Sequence, residues 1–272
     1  MKDGKPVLFI ENLKVSFRIE DKTIDALKGI SLEINRGEIV ALVGESGSGK
    51  SVTCLSIMGL LPKYANVSGE IFFYHNEKRI NLLSLQEKDK RKIRGNLISM
   101  VFQEPSAVLN PLLTVGQQIV ETVMAHKKVT KEEAKAIALK AMEEARIPEA
   151  ERRFYQYPHE LSGGLKQRVV IASGIVNSPA LLLADEPTTA LDVTVSAQIL
   201  KLFKELKENM GLSILLITHD LGVVAEVADR VFVIYKGEIV EEGDVFTIFD
   251  SPKHPYTQKL LSSRPFAFNK VS

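Results

Sequence analysis

The sequence predicts an α/β fold: a mostly parallel sheet with helices on both faces, a β-rich segment ahead of it and a helical segment inserted in the middle. Three observations carry this. After residue 161, short wholly apolar runs alternate with stretches of helical length, the pattern of parallel strands buried on both faces. Up to residue 43 the pieces are short, β-rich and partly alternating, as expected of half-buried strands. Between 104 and 161 the chain becomes charged and helical in pattern.

Taken in order, the β-rich pieces 7–17 and 30–34 lead into a buried strand at 38–43. A helix follows over 50–61, ended by Pro62, and a strand over 69–74. In the inserted segment Thr130 and Glu133 have capping-box spacing. Behind them Ala134, Ile137, Ala138, Ala141, Met142 and Ala145 fall on one helical face. The alternation then runs helix 164–176, strand 181–184, helix 195–208, strand 213–218, helix 221–228 and strand 230–235. The expected organisation is one domain over 1–272, with a β and α/β core at 1–103 and 162–250. The helical insertion occupies 104–161, and a tail occupies 251–272.

Composition sets bounds on function. A chain of 272 residues corresponds to one large domain or two small ones and buries roughly 70–75% of its unfolded surface. Its 35 basic and 34 acidic residues leave a net charge of +1, which gives no field for nucleic acid. The single cysteine, Cys54, excludes an internal disulfide framework or a Cys-ligated cluster within these residues. No apolar run approaches the ~20 residues of a membrane span, and no signal-peptide core follows Met1. The chain is therefore expected in the cytosol.

Gly44-Glu45-Ser46-Gly47-Ser48-Gly49-Lys50-Ser51 matches G-x-x-x-x-G-K-[ST] in full, between a buried strand and a helix. Its glycines let successive N–H groups converge on phosphate oxygens at a helix N-terminus. Lys50 is expected to reach the β- and γ-phosphates and the Ser51 hydroxyl to hold Mg²⁺. The bland alternative is a glycine-rich turn with a chance lysine, which arises in a chain of this size roughly once in a hundred. A second metal carboxylate is expected at a neighbouring strand end, and Leu181-Leu182-Leu183-Ala184-Asp185-Glu186 supplies it. Asp185 would complete the Mg²⁺ shell, and Glu186 would act on the attacking water. On their own, two acids after a strand are usually a solvated turn; beside the phosphate loop the chemical reading is the stronger one. These residues point to nucleoside triphosphate binding and hydrolysis.

Leu161-Ser162-Gly163-Gly164-Leu165-Lys166-Gln167-Arg168 resembles the signature sequence of ATP-binding-cassette (ABC) ATPases, with Ser162 23 residues before Asp185. It is a second Ser-Gly-Gly turn opening a helix, and Ser162 is also a plain N-cap candidate. The resemblance implies that two cassettes pair head to tail, so that Ser162, Gly163 and Gly164 cap a nucleotide held by the partner. It also identifies Gln103 in Val101-Phe102-Gln103-Glu104-Pro105 as the glutamine that senses Mg²⁺ and the γ-phosphate. Thr188-Thr189-Ala190-Leu191-Asp192 resembles the loop along the dimer interface, which brings Asp192 to the nucleotide. His219, in Ile217-Thr218-His219-Asp220, resembles the switch histidine. Phe17 takes the place of the aromatic that stacks on adenine, although such a residue in a β-rich segment is more often core. Val52, counted with the nucleotide contacts, stands where many cassettes carry a second hydroxyl, and Leu165-Lys166 replace a commoner polar or Met-Arg pair.

Within the family, Thr218-His219-Asp220-Leu221-Gly222-Val223-Val224-Ala225-Glu226-Val227-Ala228-Asp229-Arg230 resembles the dipeptide and oligopeptide importer branch, which includes nickel and some oligosaccharide importers. The tail Ser251-Pro252-Lys253-His254-Pro255-Tyr256-Thr257-Gln258-Lys259-Leu260-Leu261 resembles that branch's His-Pro-Tyr-Thr motif, and reads equally as a turn and a short amphipathic helix. Many such relatives continue into a cysteine-bearing iron–sulfur extension, which these 272 residues do not contain. The resemblance implies an ATP- and Mg²⁺-dependent motor on the cytoplasmic face of the membrane. Its implied partners are two transmembrane permease subunits, a second cassette and, indirectly, an extracytoplasmic substrate-binding protein, with no nucleic acid. Permease loops would dock near Gln103 and the helical insertion.

Other classes fit less well. DNA-repair ABC ATPases need a long coiled coil, and translation factors of the family usually carry two cassettes. A phosphate-loop kinase or GTPase leaves residues 161–168 unexplained, and no Asn-Lys-x-Asp guanine-reading motif occurs. The stretch Lys88-Asp89-Lys90-Arg91-Lys92-Ile93-Arg94 reads as a solvated helix face.

Overall fold

A computed structural model describes residues 6–20, 22–189 and 191–262. Ala190 of the interface loop and the last ten residues of the tail lie outside the described residues. Strands β1 (Pro6–Ile19) and β2 (Lys22–Asn35) form a long antiparallel pair, and β3 (Ile39–Val43) is buried at every position. The phosphate loop then opens α1 (Lys50–Met58). Strands β4 (Ala65–His75) and β5 (Lys78–Asn81) return antiparallel, giving a four-stranded sheet of order β2-β1-β4-β5.

Helix α2 (Glu87–Ile93) leads to β6 (Ile98–Val101), a strand the sequence reading did not separate. The insertion holds α3 (Pro105–Val108), α4 (Val115–Met124), α5 (Lys131–Glu144), α6 (Ala150–Arg153) and a 3-10 turn at Pro158–Glu160. Both arms of the Thr130–Glu133 capping box form. On the face named from sequence, Ala134, Ala138, Ala141, Met142 and Ala145 are buried and Ile137 is partly so. The second half of the core follows as α7 (Gly163–Ile175), β7 (Leu181–Asp185), α8 (Val193–Met210), β8 (Ser213–Thr218), α9 (Leu221–Val227) and β9 (Arg230–Tyr235). An antiparallel edge strand, β10 (Glu238–Asp244), and helices α10 (Val245–Asp250) and α11 (Pro255–Ser262) complete the described chain.

The core sheet has the order β10-β9-β3-β8-β7-β6, parallel throughout except for β10. Its strands alternate sides with period two. Leu182, Ala184, Ile214 and Leu216 face a cluster shared with α5, α7 and α8. Leu181, Leu183, Leu215 and Ile217 face the antiparallel sheet and α1. Ala41, Val43, Val231 and Val233 pack with α9, α10 and Tyr256.

Two expectations need correction. Helix α1 stops at Met58, because Gly59 takes the left-handed conformation (φ 59°) and returns its N–H to Leu55 and Ser56; Pro62 comes too late to end it. Arg94 is also not on a solvated face. Its guanidinium donates to the carbonyls of Met58 and Gly59 and pairs with Glu87, so it closes the open end of α1.

Candidate functional site

Four adjacent parallel strands deliver the candidate residues to one edge of the sheet. Strands β3, β8, β7 and β6 lie side by side in register, Val43 opposite Thr218, Asp185 opposite Ile217 and Val101 opposite Ala184. Their carboxyl ends therefore present the phosphate loop, His219, Asp185 with Glu186, and Gln103 around one crevice, the place where open α/β sheets hold ligands.

The phosphate loop is wound tightly. Gly49 sits at φ 112°, and a Cβ there would meet the Leu27 side chain at 2.6 Å and the Ala26 carbonyl at 2.8 Å. Lys50 Nζ donates to the carbonyls of Gly44 (2.8 Å) and Glu45 (2.9 Å), and the Ser48 N–H donates to Glu45 O (3.2 Å). Ser46 and Gly47 stay exposed, while Ser48 is buried. Val52 turns its side chain toward the core beneath the antiparallel sheet.

Ser51 Oγ donates to Asp185 Oδ1 at 3.1 Å. Burial pushes the Asp185 carboxyl above its ordinary value, the Ser51 bond opposes this, Glu186 adds to it and Lys50 opposes it. Burial likewise lowers Lys50, against the pull of Glu186 and Asp185. Two carboxylates thus face one buried ammonium, and the hydroxyl and carboxylate oxygens of Ser51 and Asp185 lie together. Hard oxygen donors in a negative pocket beside a phosphate cradle suit Mg²⁺, which takes only one or two protein ligands when phosphates supply others. Cys54, wholly buried under this site, is held as a neutral thiol by burial and by Asp185.

Glu186 is the hub of the crevice. It sits at φ 46°, with its N–H donating to Ile217 O at 2.9 Å. Its Oε1 lies 3.2 Å from His219 Nδ1, and its Oε2 accepts from Gln103 Nε2 (3.3 Å) and Thr189 Oγ1 (2.9 Å). The structure therefore brings Lys50, Ser51, Gln103, Asp185, Glu186 and His219 together. Thr189 of the interface loop joins this hub although the sequence motif assigns it no role; it stands three residues after Glu186, across a turn.

The remaining candidates stand apart. Ser162 caps α7 by accepting the Leu165 N–H at 3.4 Å. Gly163 and Gly164 pack toward Leu191 and Val195, which places this turn against the start of α8. Asp192 caps α8 through the Val195 N–H at 2.9 Å. Phe17 is half-buried at the end of β1, opposite Ile24 and Ala65, and meets the Tyr64 ring edge-on at 6.1 Å. Tyr64, 59% exposed, is a neighbour the sequence did not single out.

A glycine-rich loop between a buried parallel strand and a helix, with a carboxylate pair on a nearby strand end, defines a phosphate-loop nucleotide-binding α/β protein. Comparison with known proteins narrows this: residues 27–189 match the ABC transporter family. The dipeptide transport ATP-binding protein DppD of Bacillus subtilis is 51% identical over 261 residues, covering 95% of this chain and 77% of that protein. The glutathione import ATP-binding protein GsiA of Salmonella choleraesuis is 48% identical over 97% of this chain, which spans only 43% of its length. A dimeric post-hydrolysis structure of the ATP-binding cassette MJ0796 with ADP and phosphate superposes with a TM-score of 0.76 at 32% identity, covering 88% of this chain and 98% of that one. The chain belongs to the ABC transporter family. Among the described residues no helix is long and apolar enough to cross a membrane.

Proposed function

We propose that this chain is the ATP-binding and ATP-hydrolysing motor of an importer for small peptides, the class that includes dipeptides, oligopeptides and glutathione. The observation that carries it is the convergence of Lys50, Ser51, Asp185, Glu186, Gln103 and His219 at the ends of four neighbouring strands. The import ATPases that it resembles, at 48–51% identity, support the peptide class.

In this reading the loop amides 47–51 and Lys50 hold the triphosphate. Ser51 and Asp185, with Gln103, hold Mg²⁺, which neutralises charge on the phosphates when bound. Glu186 takes a proton from a water whose oxygen attacks the γ-phosphorus; the bond to the bridging oxygen breaks, and ADP leaves with that electron pair. His219, tied to Glu186, stands beside the γ-phosphate, and Phe17 stacks on the base. Ser162, Gly163 and Gly164 cap the nucleotide of a second cassette, with Asp192 at the same interface. The insertion 104–161 is the unit that receives permease loops, on the cytoplasmic side of the membrane.

The test is a mild-detergent pull-down of the tagged chain from its own cells. Two polytopic permease subunits and a second cassette are expected. Recovery with ribosomes or DNA, or with nothing from the membrane fraction, would overturn the transport reading and leave only an ATPase.

A further inference from the structure

The tail reaches back to the phosphate loop. Tyr256, in the first turn of α11, is 7% exposed and stacks on Tyr235 at the end of β9, with ring centroids 4.1 Å apart. Its hydroxyl oxygen accepts the N–H of Glu45, the second residue of the loop, at 2.9 Å. The contact joins residues 211 positions apart.

The peptide unit involved is the one between Gly44 and Glu45. Its carbonyl accepts from Lys50 Nζ at 2.8 Å, while its N–H donates to Tyr256. In a trans peptide these two groups point in opposite directions, so the ammonium and the phenol grip one plane from opposite sides. If Lys50 turns toward β- and γ-phosphates, as the proposed function requires, the carbonyl loses its partner and Tyr256 alone still fixes the plane. A rotated Gly44–Glu45 peptide would misdirect the loop amides that follow.

The phenol is itself anchored. Glu241 on β10 accepts the N–H groups of Lys253 (2.7 Å) and His254 (3.0 Å). His254 Nδ1 accepts the Tyr256 N–H at 3.1 Å, and Gln258 Nε2 donates to Pro252 O at 2.9 Å. The turn before α11 is therefore rigid, and Pro255 starts the helix with a preset φ. A phenylalanine would supply the stack on Tyr235 equally well; only the hydroxyl explains the contact with Glu45.

We propose that Tyr256 is a positioning residue for nucleotide binding, holding the Gly44–Glu45 peptide in place while Lys50 changes partner from the loop carbonyls to phosphate. The inference rests on the ATPase reading above. Losing one such part-buried hydrogen bond corresponds to a loss of roughly three- to tenfold in affinity.

The experiment compares wild type, Tyr256→Phe and Lys50→Ala of the full chain, measuring MgATP binding, phosphate release and amide exchange over residues 44–48. The expected result for Tyr256→Phe is a KM and Kd for MgATP raised roughly three- to tenfold, kcat unchanged, and faster exchange at Glu45. An unchanged KM, or a fall in kcat at unchanged KM, overturns the positioning role while wild-type binding and its loss in Lys50→Ala leave the ATPase reading standing. Rapid exchange at Glu45 in the wild type overturns the role even if the variant does not fold. Failure of the wild type to bind MgATP overturns the ATPase reading and this role with it.

Discussion

Glu186 Oε1 and His219 Nδ1 lie 3.2 Å apart across the ends of two neighbouring parallel strands. Glu186 occupies the left-handed region, at φ 46°, which disfavours a residue bearing a Cβ by about 1–2 kcal/mol. The turn is stitched to β8 through Ile217, and Thr189 and Gln103 share the second carboxylate oxygen. Gln103 and Thr189 donate to Oε2, and the imidazole Nδ1 lies within hydrogen-bond reach of Oε1. Three side chains thus hold the Glu186 carboxylate in one orientation.

Glu186→Gln retains the shape and much of the bonding but cannot take a proton. Phosphate release from ATP is expected to fall on the order of 10²–10⁴-fold, while equilibrium ATP binding stays near wild type. Size-exclusion chromatography with MgATP should then show a nucleotide-trapped dimer. A variant that hydrolyses ATP normally would remove Glu186 from the mechanism.

Asp185→Asn separates stability from function. Burial, the largest influence, raises the Asp185 pKa above 3.8, with Glu186 acting the same way and Ser51 and Lys50 opposing. A carboxyl with a folded-state pKa above its unfolded one loses stability as pH rises between the two values, and the loss persists above them. The nucleotide-free variant should therefore melt above wild type at neutral pH, with the difference shrinking as pH falls through the ordinary aspartate range. MgATP should stabilise wild type by mass action and the variant by less. Melting curves across pH, with and without MgATP, check both signs; a variant melting below wild type at neutral pH refutes the account.

The sequence made the core strands legible where burial is complete. Residues 213–218 and 230–235 are strands with the same limits in the structure because each is built on an unbroken, fully buried apolar run, 214–217 and 231–234. Strand β10 was hidden because Glu238, Glu241, Glu242 and Asp244 give a half-exposed edge no apolar signature. The crevice residues were readable one by one, since each follows a buried strand. Their shared hub at Glu186, and the hold of Tyr256 on Glu45, depend on which strands are neighbours, and spacing along the chain does not encode that. The partners of Arg94 are hidden for the same reason: Met58 and Gly59 lie 36 and 35 residues back along the chain.

Arg94→Ala should expose that contact energetically. It leaves the last carbonyls of α1 without their donor and strands part of Glu87's partnership. The expected loss is about 1–3 kcal/mol in urea unfolding, with KM for ATP little changed because Arg94 spends its hydrogen bonds on Met58, Gly59 and Glu87. Wild-type stability would show that water replaces the guanidinium at no cost.

Ser162 tests whether a second copy completes the site. Within one chain it only caps α7, accepting the Leu165 N–H, so Ser162→Ala should cost about 1 kcal/mol of stability. It should leave MgATP binding by the single chain intact. Ser162→Arg loses the same cap and adds a bulky cation at an exposed turn that lies against the start of α8. If that turn caps a partner's γ-phosphate, Ser162→Arg should bind MgATP like Ser162→Ala yet fail to form the ATP-dependent dimer, and its hydrolysis should fall well below that of Ser162→Ala. Binding by titration, dimerisation by light scattering and phosphate release on both variants separate the two roles. Equal hydrolysis in Ser162→Arg and wild type would mean that the turn does nothing beyond capping its own helix.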